Sequence, residues 1–240
     1  MAGGEAVQTW KTHHTRTTYV AEQDMAKDSK RVNRFGQESF VTGVFAMNEQ
    51  AALRKIFPRL AGGQNIAVVS TEDNEKTKLL KDIGNREIYE FRLPQPDNWV
   101  FSYVPGDAFS LDDTPADFWE RVWSAFAQQS VGRFWQPLLE QTAERVRVRP
   151  IESDRVLRRL DRARVRQVLL LDDLDHFVDK PKLFTPELLG PLRSLSSRHP
   201  SFSIVFSSAR RLRELNREVM MLGSPPFNNF NEILIEELKD

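Results

Sequence analysis

Residues 66–77 read IAVVSTEDNEKT, and they contain the transition that decides the fold: an apolar strand, a polar loop and the start of a helix. Four consecutive apolar residues at 66–69 are typical of a strand that is buried on both faces of a parallel sheet. A helix predicted over 49–60 precedes this strand, and a short helix predicted over 77–83 follows it. This order of helix, strand, loop and helix indicates an α/β protein.

The same alternation extends along the rest of the chain. Further strands are predicted at 88–93, 101–104, 168–171 and 203–206. Further helices are predicted over 114–139, 155–164, 185–196 and 210–221. The first of these begins with TPAD, in which Thr114 can cap the helix and Asp117 lies in its first turn. Short strands between helices predict a parallel sheet covered on both faces, whose ligands bind at the carboxyl ends of the strands.

The composition excludes several classes of protein. The 240 residues include 34 basic and 34 acidic side chains and no cysteine. Without cysteine there is no disulfide, thiol nucleophile or thiolate metal site, so a cytoplasmic location is expected. No apolar run approaches the roughly 20 residues of a membrane helix, and no membrane partner is predicted. Zero net charge argues against a uniformly basic nucleic-acid-binding protein, whereas a local basic patch stays open.

The first part of the chain differs from the rest. Residues 1–37 are polar and charged without apolar periodicity, and they are interpreted as a flexible or partner-ordered arm. His13 and His14 lie in this arm without a nearby carboxylate or third ligand, which favours a solvated tail over a metal site. A single core domain is predicted over 38–240.

The polar loop after the first strand is similar to the phosphate-binding motif G-x-x-x-x-G-K-[ST]. Lys76 and Thr77 match its last two positions, whereas Ser70 and Glu75 stand in place of the two glycines. A second motif follows about 100 residues downstream, where VLLLDD at 168–173 is an apolar strand that ends in two aspartates. Such a strand end supplies the Mg²⁺-binding acid of proteins with this type of loop.

With these two motifs, the chain resembles the P-loop ATPases of the AAA+/STAND group, in particular the prokaryotic AAA-like modules of signalling and defence proteins. The resemblance extends from about Phe40 to Leu238. The segments that carry it are FVTG at 40–43, LAGGQNI at 60–66, LDDLD at 171–175, LRSL at 192–195, SSAR at 207–210 and GSPPFN at 223–228. It implies a three-layer P-loop NTPase-like parallel sheet flanked by helices, without the C-terminal lid domain into which the family normally continues.

The resemblance also implies a nucleotide site. Lys76 would contact the β- and γ-phosphates, and Thr77 and Asp172 would hold Mg²⁺ if a nucleotide binds. Ser208 or Arg210 would be the sensor-1 residue.

Two catalytic roles are implied in addition. Asp173 would take the general-base position, where it is a weak candidate because the family usually has the longer Glu. Arg198, near the end of a predicted helix, would be an arginine finger that acts on a neighbouring subunit.

The loop departs from the motif in ways that oppose nucleotide binding. Its glycines are needed because the backbone adopts positive φ angles and brings N–H groups close to phosphate. Glu72, Asp73 and Glu75 instead place three carboxylates there. One carboxylate about 5 Å from a phosphate charge costs roughly 3 kcal/mol at an effective dielectric near 20, or about a hundredfold in affinity. We therefore predict no cofactor and no ATP hydrolysis, with ATP and Mg²⁺ as the alternative.

Arginines are concentrated between residues 145 and 166. Five of them are predicted to share one face of a helix: Arg155, Arg158, Arg159, Arg162 and Arg166. The pattern fits a solvated helix face, or a basic strip that binds phosphate backbones or an acidic partner subunit.

Three functions are compatible with these features. The first is a catalytically inactive AAA+/STAND-like domain, a pseudo-ATPase, that acts as a structural or regulatory protein-interaction module in a larger assembly. The resemblance implies a protein partner or a homo-oligomer for it. The second is an ATP-binding switch that retains nucleotide through an atypical loop. The third is an AAA+-like nucleic-acid-associated assembly protein that uses the arginine-rich helix.

Overall fold

A five-stranded sheet forms the centre of the fold, and all of its strand pairs are parallel. The strands are β1 (Asn65–Val69), β2 (Trp99–Pro105), β3 (Arg166–Asp172), β4 (Phe202–Ser208) and β5 (Phe230–Leu234). Their spatial order is β2-β3-β4-β1-β5. The computed structural model describes residues 40–144, 150–219 and 227–238. The predicted arm over 1–37 lies outside these residues.

Helices connect the strands of the described part of the chain. They are α1 (Phe40–Ala61), α2 (Asp73–Gly84), α3 (Arg86–Tyr89), α4 (Pro115–Gln129), α5 (Gln136–Ala143), α6 (Pro150–Arg162), α7 (Leu174–Val178), α8 (Pro186–Arg198) and α9 (Leu212–Val219). Among the described residues, no helix combines the length and the apolar character that crossing a membrane requires.

The two faces of the sheet carry separate apolar cores. On β3, Val168 and Leu170 pack with residues of α1 and α2, whereas Leu169 and Leu171 pack with residues of α4, α6 and α8. All four side chains are almost fully buried. Because neighbouring residues of a strand point to opposite faces, a continuous apolar run requires cover on both faces. The three-layer α/β fold predicted from the sequence is therefore confirmed.

The strand predicted at 88–93 is wrong. The chain forms α3 over Arg86–Tyr89 and then a series of turns. Tyr89 and Leu93 are buried, whereas Phe91, which lies between them, is 82 % exposed. The two buried residues are thus spaced i, i+4, which is the spacing of a helical turn rather than of a strand.

Two further helix predictions need correction. The helix predicted over 114–139 is divided into α4 and α5, because the chain turns at Gly132, whose φ is +78°. Its start is confirmed, since the Asp117 carboxylate accepts a hydrogen bond from the Thr114 N–H at 2.7 Å. The helix predicted over 210–221 begins only at Leu212, and residues 220–226 lie outside the described ones.

Candidate functional site

The carboxyl ends of three neighbouring strands bring the polar residues of the motifs together. In the parallel register, Val69 of β1 faces Ser208 of β4, and Leu171 of β3 faces Phe206 of β4. Asp172 therefore ends β3 beside the end of β4, and the loop after β1 starts beside Ser208. These residues share the edge of the sheet at which ligands of parallel α/β folds bind.

The loop after β1 is much shorter than the motif predicted. It comprises only Ser70, Thr71 and Glu72, because α2 begins at Asp73 and not at Thr77. Asp73 and Glu75 lie in the first turn of α2, where their charge interacts favourably with the helix dipole. The loss of the glycines thus lets the helix extend backwards by about one turn.

A carboxylate from a distant part of the chain binds the shortened loop. Glu236 lies in the short 3-10 helix that follows β5, and its Oε1 atom accepts hydrogen bonds from Thr71 N at 2.8 Å and Thr71 Oγ1 at 3.3 Å. Burial opposes ionisation of this carboxyl, but the bond from the Thr71 backbone lowers the pKa of Glu236 overall. The Ser70 N–H donates to Ser208 O, and the Glu72 N–H donates to Ser70 Oγ. Each N–H group of the loop therefore has an acceptor within the chain.

Lys76, the residue that matches the motif lysine, is enclosed in the first turns of α2. Its side chain is 1 % exposed, and Nζ lies 2.8 Å from Oδ1 of Asp73. This contact is an ion pair without hydrogen-bond geometry, and Nζ has no hydrogen-bond partner in the described part of the chain. A buried ammonium without hydrogen bonds is energetically costly. Thr77, the next residue, is half-buried.

Asp172, the predicted Mg²⁺ ligand, is held by two hydroxyl groups. Its Oδ1 accepts a hydrogen bond from Ser207 Oγ at 2.7 Å, and its Oδ2 accepts one from the Tyr103 hydroxyl at 2.5 Å. The carboxylate is 4 % exposed. Burial, followed by the hydrogen bond to Asp172, raises the pKa of Tyr103, so this phenol stays protonated as a donor. Through these two hydrogen bonds, the carboxylate of Asp172 connects β3 to β4 and to β2.

Asp173, the general-base candidate, is paired with a histidine. Its Oδ2 lies 2.8 Å from Nδ1 of His176, one turn along α7. Its backbone has φ of +56° and donates its N–H to Ser207 Oγ. Burial raises the pKa of Asp173, while the charges of His176 and Lys76 act in the opposite direction. The side chain therefore faces His176 of α7, and this contact competes with the binding of an attacking water.

Both sensor-1 candidates contact Asp175. Ser208 Oγ donates to Oδ1 of Asp175 at 3.1 Å, and Arg210 Nε donates to the same oxygen at 2.5 Å. Arg210 also forms an ion pair with Glu218. Burial opposes ionisation of Asp175, but the hydrogen bonds from Ala209 N–H and Arg210 lower its pKa overall.

In the arrangement observed, most of the polar groups that would meet a nucleotide with Mg²⁺ contact other groups of the chain. The N–H groups of the loop are engaged, the motif lysine contacts Asp73, and Asp172 has both oxygens bonded within the protein. Among the described residues, no group of three or more His, Asp or Glu side chains is placed to hold a metal ion.

The remaining predicted arginines lie away from this edge. Arg198 is in the last turn of α8, where its side chain is 3.3 Å from Asp154. The prediction that Arg166 shares the helical face is wrong, because α6 ends at Arg162 and Arg166 starts β3, stacked on Trp99. Four arginines of α6 do line one groove with residues of α5.

Several residues of the site had no signal in the sequence. Tyr103, Glu236 and His176 belong to no motif, and Ser207 lies in the SSAR segment without a predicted role. Each contacts a site residue only because of the strand order and the helix placement. The strand order would have been needed to find Tyr103, which lies in β2 next to β3.

Comparison with known proteins identifies the type of fold. No protein-family model matches the sequence, and no curated protein matches it. The chain is similar to the Aeropyrum pernix ORC2 protein in its ADPNP-ADP complexes, with 14 % identity and a TM-score of 0.53, and in its ADP form, with 15 % identity and a TM-score of 0.50. It is also similar to the Aeropyrum pernix ORC1 protein in complex with DNA, with 20 % identity and a TM-score of 0.46.

Each of these alignments covers 78 % of this chain and 44–47 % of the other chain, so this chain spans about half the length of the structures it matches. At such identities the likeness to the two ORC2 structures establishes the fold. The chain has an AAA+ P-loop NTPase-like fold, as the resemblance implied.

Proposed function

We propose that this chain is an AAA+/STAND-like domain that does not hydrolyse ATP and acts as a structural or regulatory protein-interaction module in a larger assembly. The observation that carries the proposal is the Glu236 carboxylate bound to the Thr71 N–H of the shortened loop. An anion supplied by the chain itself takes the backbone donor that a phosphate would need. The ion pair of Lys76 with Asp73, the contact of Asp173 with His176 and the hydrogen bonds of Asp172 support the same conclusion.

Wild-type protein is expected to show no saturable binding of mant-ATP with Mg²⁺ at micromolar concentrations. The reason is that binding would require both displacement of Glu236 and accommodation of the carboxylates of Glu72 and Asp73, which repel phosphate. Fluorescence titration measures this directly, with Lys76→Ala as the comparison. Micromolar binding that Lys76→Ala abolishes would overturn the proposal.

An ATP-binding switch is the second candidate, and one observation favours it. The buried Nζ of Lys76 has no hydrogen-bond partner among the described residues, and a bound anion would supply one. The Aeropyrum pernix ORC2 protein, which has this fold, was solved in ADPNP-ADP complexes. In this alternative, Glu236 would be an internal ligand that a phosphate displaces.

Substitution of Glu236 by glutamine separates the two candidates. For an inactive domain, Glu236→Gln leaves mant-ATP binding undetectable, because the short loop and the Lys76–Asp73 pair persist. For a switch, the same change removes a competing charge and tightens binding at least tenfold. Glu187→Gln, on an exposed acid in the first turn of α8, is the matched control. Tighter binding in Glu236→Gln alone would favour the switch.

A further inference from the structure

The groove between α5 and α6 is a strongly basic concave surface. Its volume is about 390 Å³, and it is lined by four arginines and one glutamate, Glu152, of α6 together with polar and apolar residues of both helices. The arginines are Arg155, Arg158, Arg159 and Arg162. Leu138 of α5 and Val156 of α6 add apolar surface to the lining. We call this surface the α5–α6 groove.

Most of these arginines are unpaired. Arg158 lies 2.9 Å from Asp154, but Arg155, Arg159 and Arg162 form no ion pair or hydrogen bond with any described residue. All four are exposed. Like charges at i, i+3 and i, i+4 on a helix destabilise it slightly, so an opposite charge in the groove would be bound favourably.

The spacing of the unpaired arginines matches a helical partner. Arg155, Arg159 and Arg162 follow an i, i+4, i+7 pattern, which extends over about 10 Å of helix axis. Carboxylates with the same pattern on a second helix lie at the same spacing, and a guanidinium binds a carboxylate with two hydrogen bonds. The half-buried Leu138 offers an apolar contact for a side chain on the same face of that partner, whereas Val156 is almost fully buried.

Nucleic acid fits the groove less well. None of the lining residues is aromatic, so the groove offers no stacking platform for single-stranded bases. Its apolar part makes no favourable contact with a phosphate backbone, because phosphate is bound by cationic and polar groups.

We propose that the α5–α6 groove binds an acidic helical segment of a partner protein, with carboxylates at i, i+4 and i+7 and an apolar residue on the same face. The inference rests on the proposed role as a protein-interaction module and names the chemistry of the partner. The proposed interaction uses none of the residues at the carboxyl ends of the strands.

The test is fluorescence anisotropy with a labelled helical peptide of about 18 residues, with glutamates at i, i+4 and i+7 and leucines between them on the same face. Binding is expected at about 50 mM salt and is weakened at about 300 mM, because the attraction is screened. The double variant Arg155→Glu/Arg159→Glu is expected to bind at least tenfold more weakly. The matched control is Arg213→Glu/Arg217→Glu on α9, an equal charge change at exposed arginines, with an effect below twofold.

Three results would overturn the proposal. The first is no peptide binding at low salt, or an equal loss in the α9 control. The second is a duplex DNA that binds more tightly than the peptide and is lost in Arg155→Glu/Arg159→Glu, which would make the groove a nucleic-acid surface. The third is salt-dependent self-association of the wild type that the same variant abolishes, which would make a second copy the occupant.

Two further measurements keep the result interpretable. Circular dichroism establishes that the charge-reversed protein is folded, and Arg155→Gln/Arg159→Gln replaces it if it is not, with the same expected direction. The mant-ATP titration on the same samples tests the proposed function separately. If the peptide does not bind, the groove proposal fails, but the mant-ATP titration still tests the proposed function. If mant-ATP binds, the proposed function is contradicted, whether or not the peptide binds.

Discussion

Replacing His199 by alanine is expected to lower the free energy of unfolding by about 3 kcal/mol, because it removes a buried ring together with its hydrogen bonds to two carboxylates, one of them buried. Nδ1 of His199 lies 2.7 Å from Asp161 Oδ2, and Nε2 lies 3.0 Å from Asp154 Oδ1. His199 and Asp154 are 3 % and 4 % exposed. The ring thus links both acids of α6 to the turn that leads into β4.

Chemical denaturation followed by circular dichroism measures this effect. The matched control is His176→Ala, because His176 also pairs with an aspartate but is more than half exposed. Its cost is expected to stay below about 1 kcal/mol, as for exposed ion pairs. Equal effects at the two positions would contradict a stabilising role of the buried network.

The same network predicts a pH dependence. The hydrogen bond from His199, together with the charges of Arg158 and Arg198, lowers the pKa of Asp154 although burial opposes this. A carboxyl whose pKa is lower in the folded state stabilises the fold above its unfolded pKa, and the contribution is lost as the pH falls through the folded value. The stability difference between wild type and Asp154→Asn should therefore be complete at neutral pH and decrease below about pH 4. A difference that does not change in acid would contradict this assignment.

Local patterns predicted most of the strands and helices, because their signals lie within a few residues. The apolar runs at 66–69, 168–171 and 203–206 all lie in strands of the sheet. The strand predicted at 88–93 failed because Tyr89 and Leu93 also satisfy a helical spacing, and only packing decides between the two patterns. The early start of α2 could have been anticipated, since its acidic residues favour a helix N-terminus and no glycine holds the loop open.

Contacts between distant residues could not be predicted in the same way. Glu236 meets Thr71 across 165 residues, and Tyr103 meets Asp172 across 69. Each contact depends on the order β2-β3-β4-β1-β5, which sequence periodicity does not contain. The motifs therefore indicated which strand ends carry polar residues. The partners of Lys76 and Asp172 could be identified only from the folded structure.

Replacing Asp172 by alanine is expected to lower the free energy of unfolding by about 2–4 kcal/mol, because one buried and one half-buried hydroxyl donor lose their acceptor. The donors are Ser207 and Tyr103, and they join β2, β3 and β4 through this one carboxylate. A carboxylate kept for Mg²⁺ would behave differently, since removing a functional residue from a strained site is often neutral for stability or increases it. The sign of the effect therefore distinguishes a structural acid from a metal ligand.

Denaturation curves with and without about 5 mM MgCl₂ test for a bound metal ion, because a ligand that binds only the folded state raises its stability by mass action. No Mg²⁺-dependent stabilisation of the wild type is expected. Asp172→Asn and Asp173→Asn form a matched pair of variants at adjacent acids. The loss in free energy of unfolding should be larger for Asp172→Asn, because among the described residues Asp173 forms its side-chain pair with the exposed His176. Asparagine is also well tolerated at the positive φ of Asp173. A wild type stabilised by Mg²⁺, together with an Asp172→Ala variant that is as stable as the wild type, would instead identify Asp172 as a metal ligand and favour the ATP-binding switch.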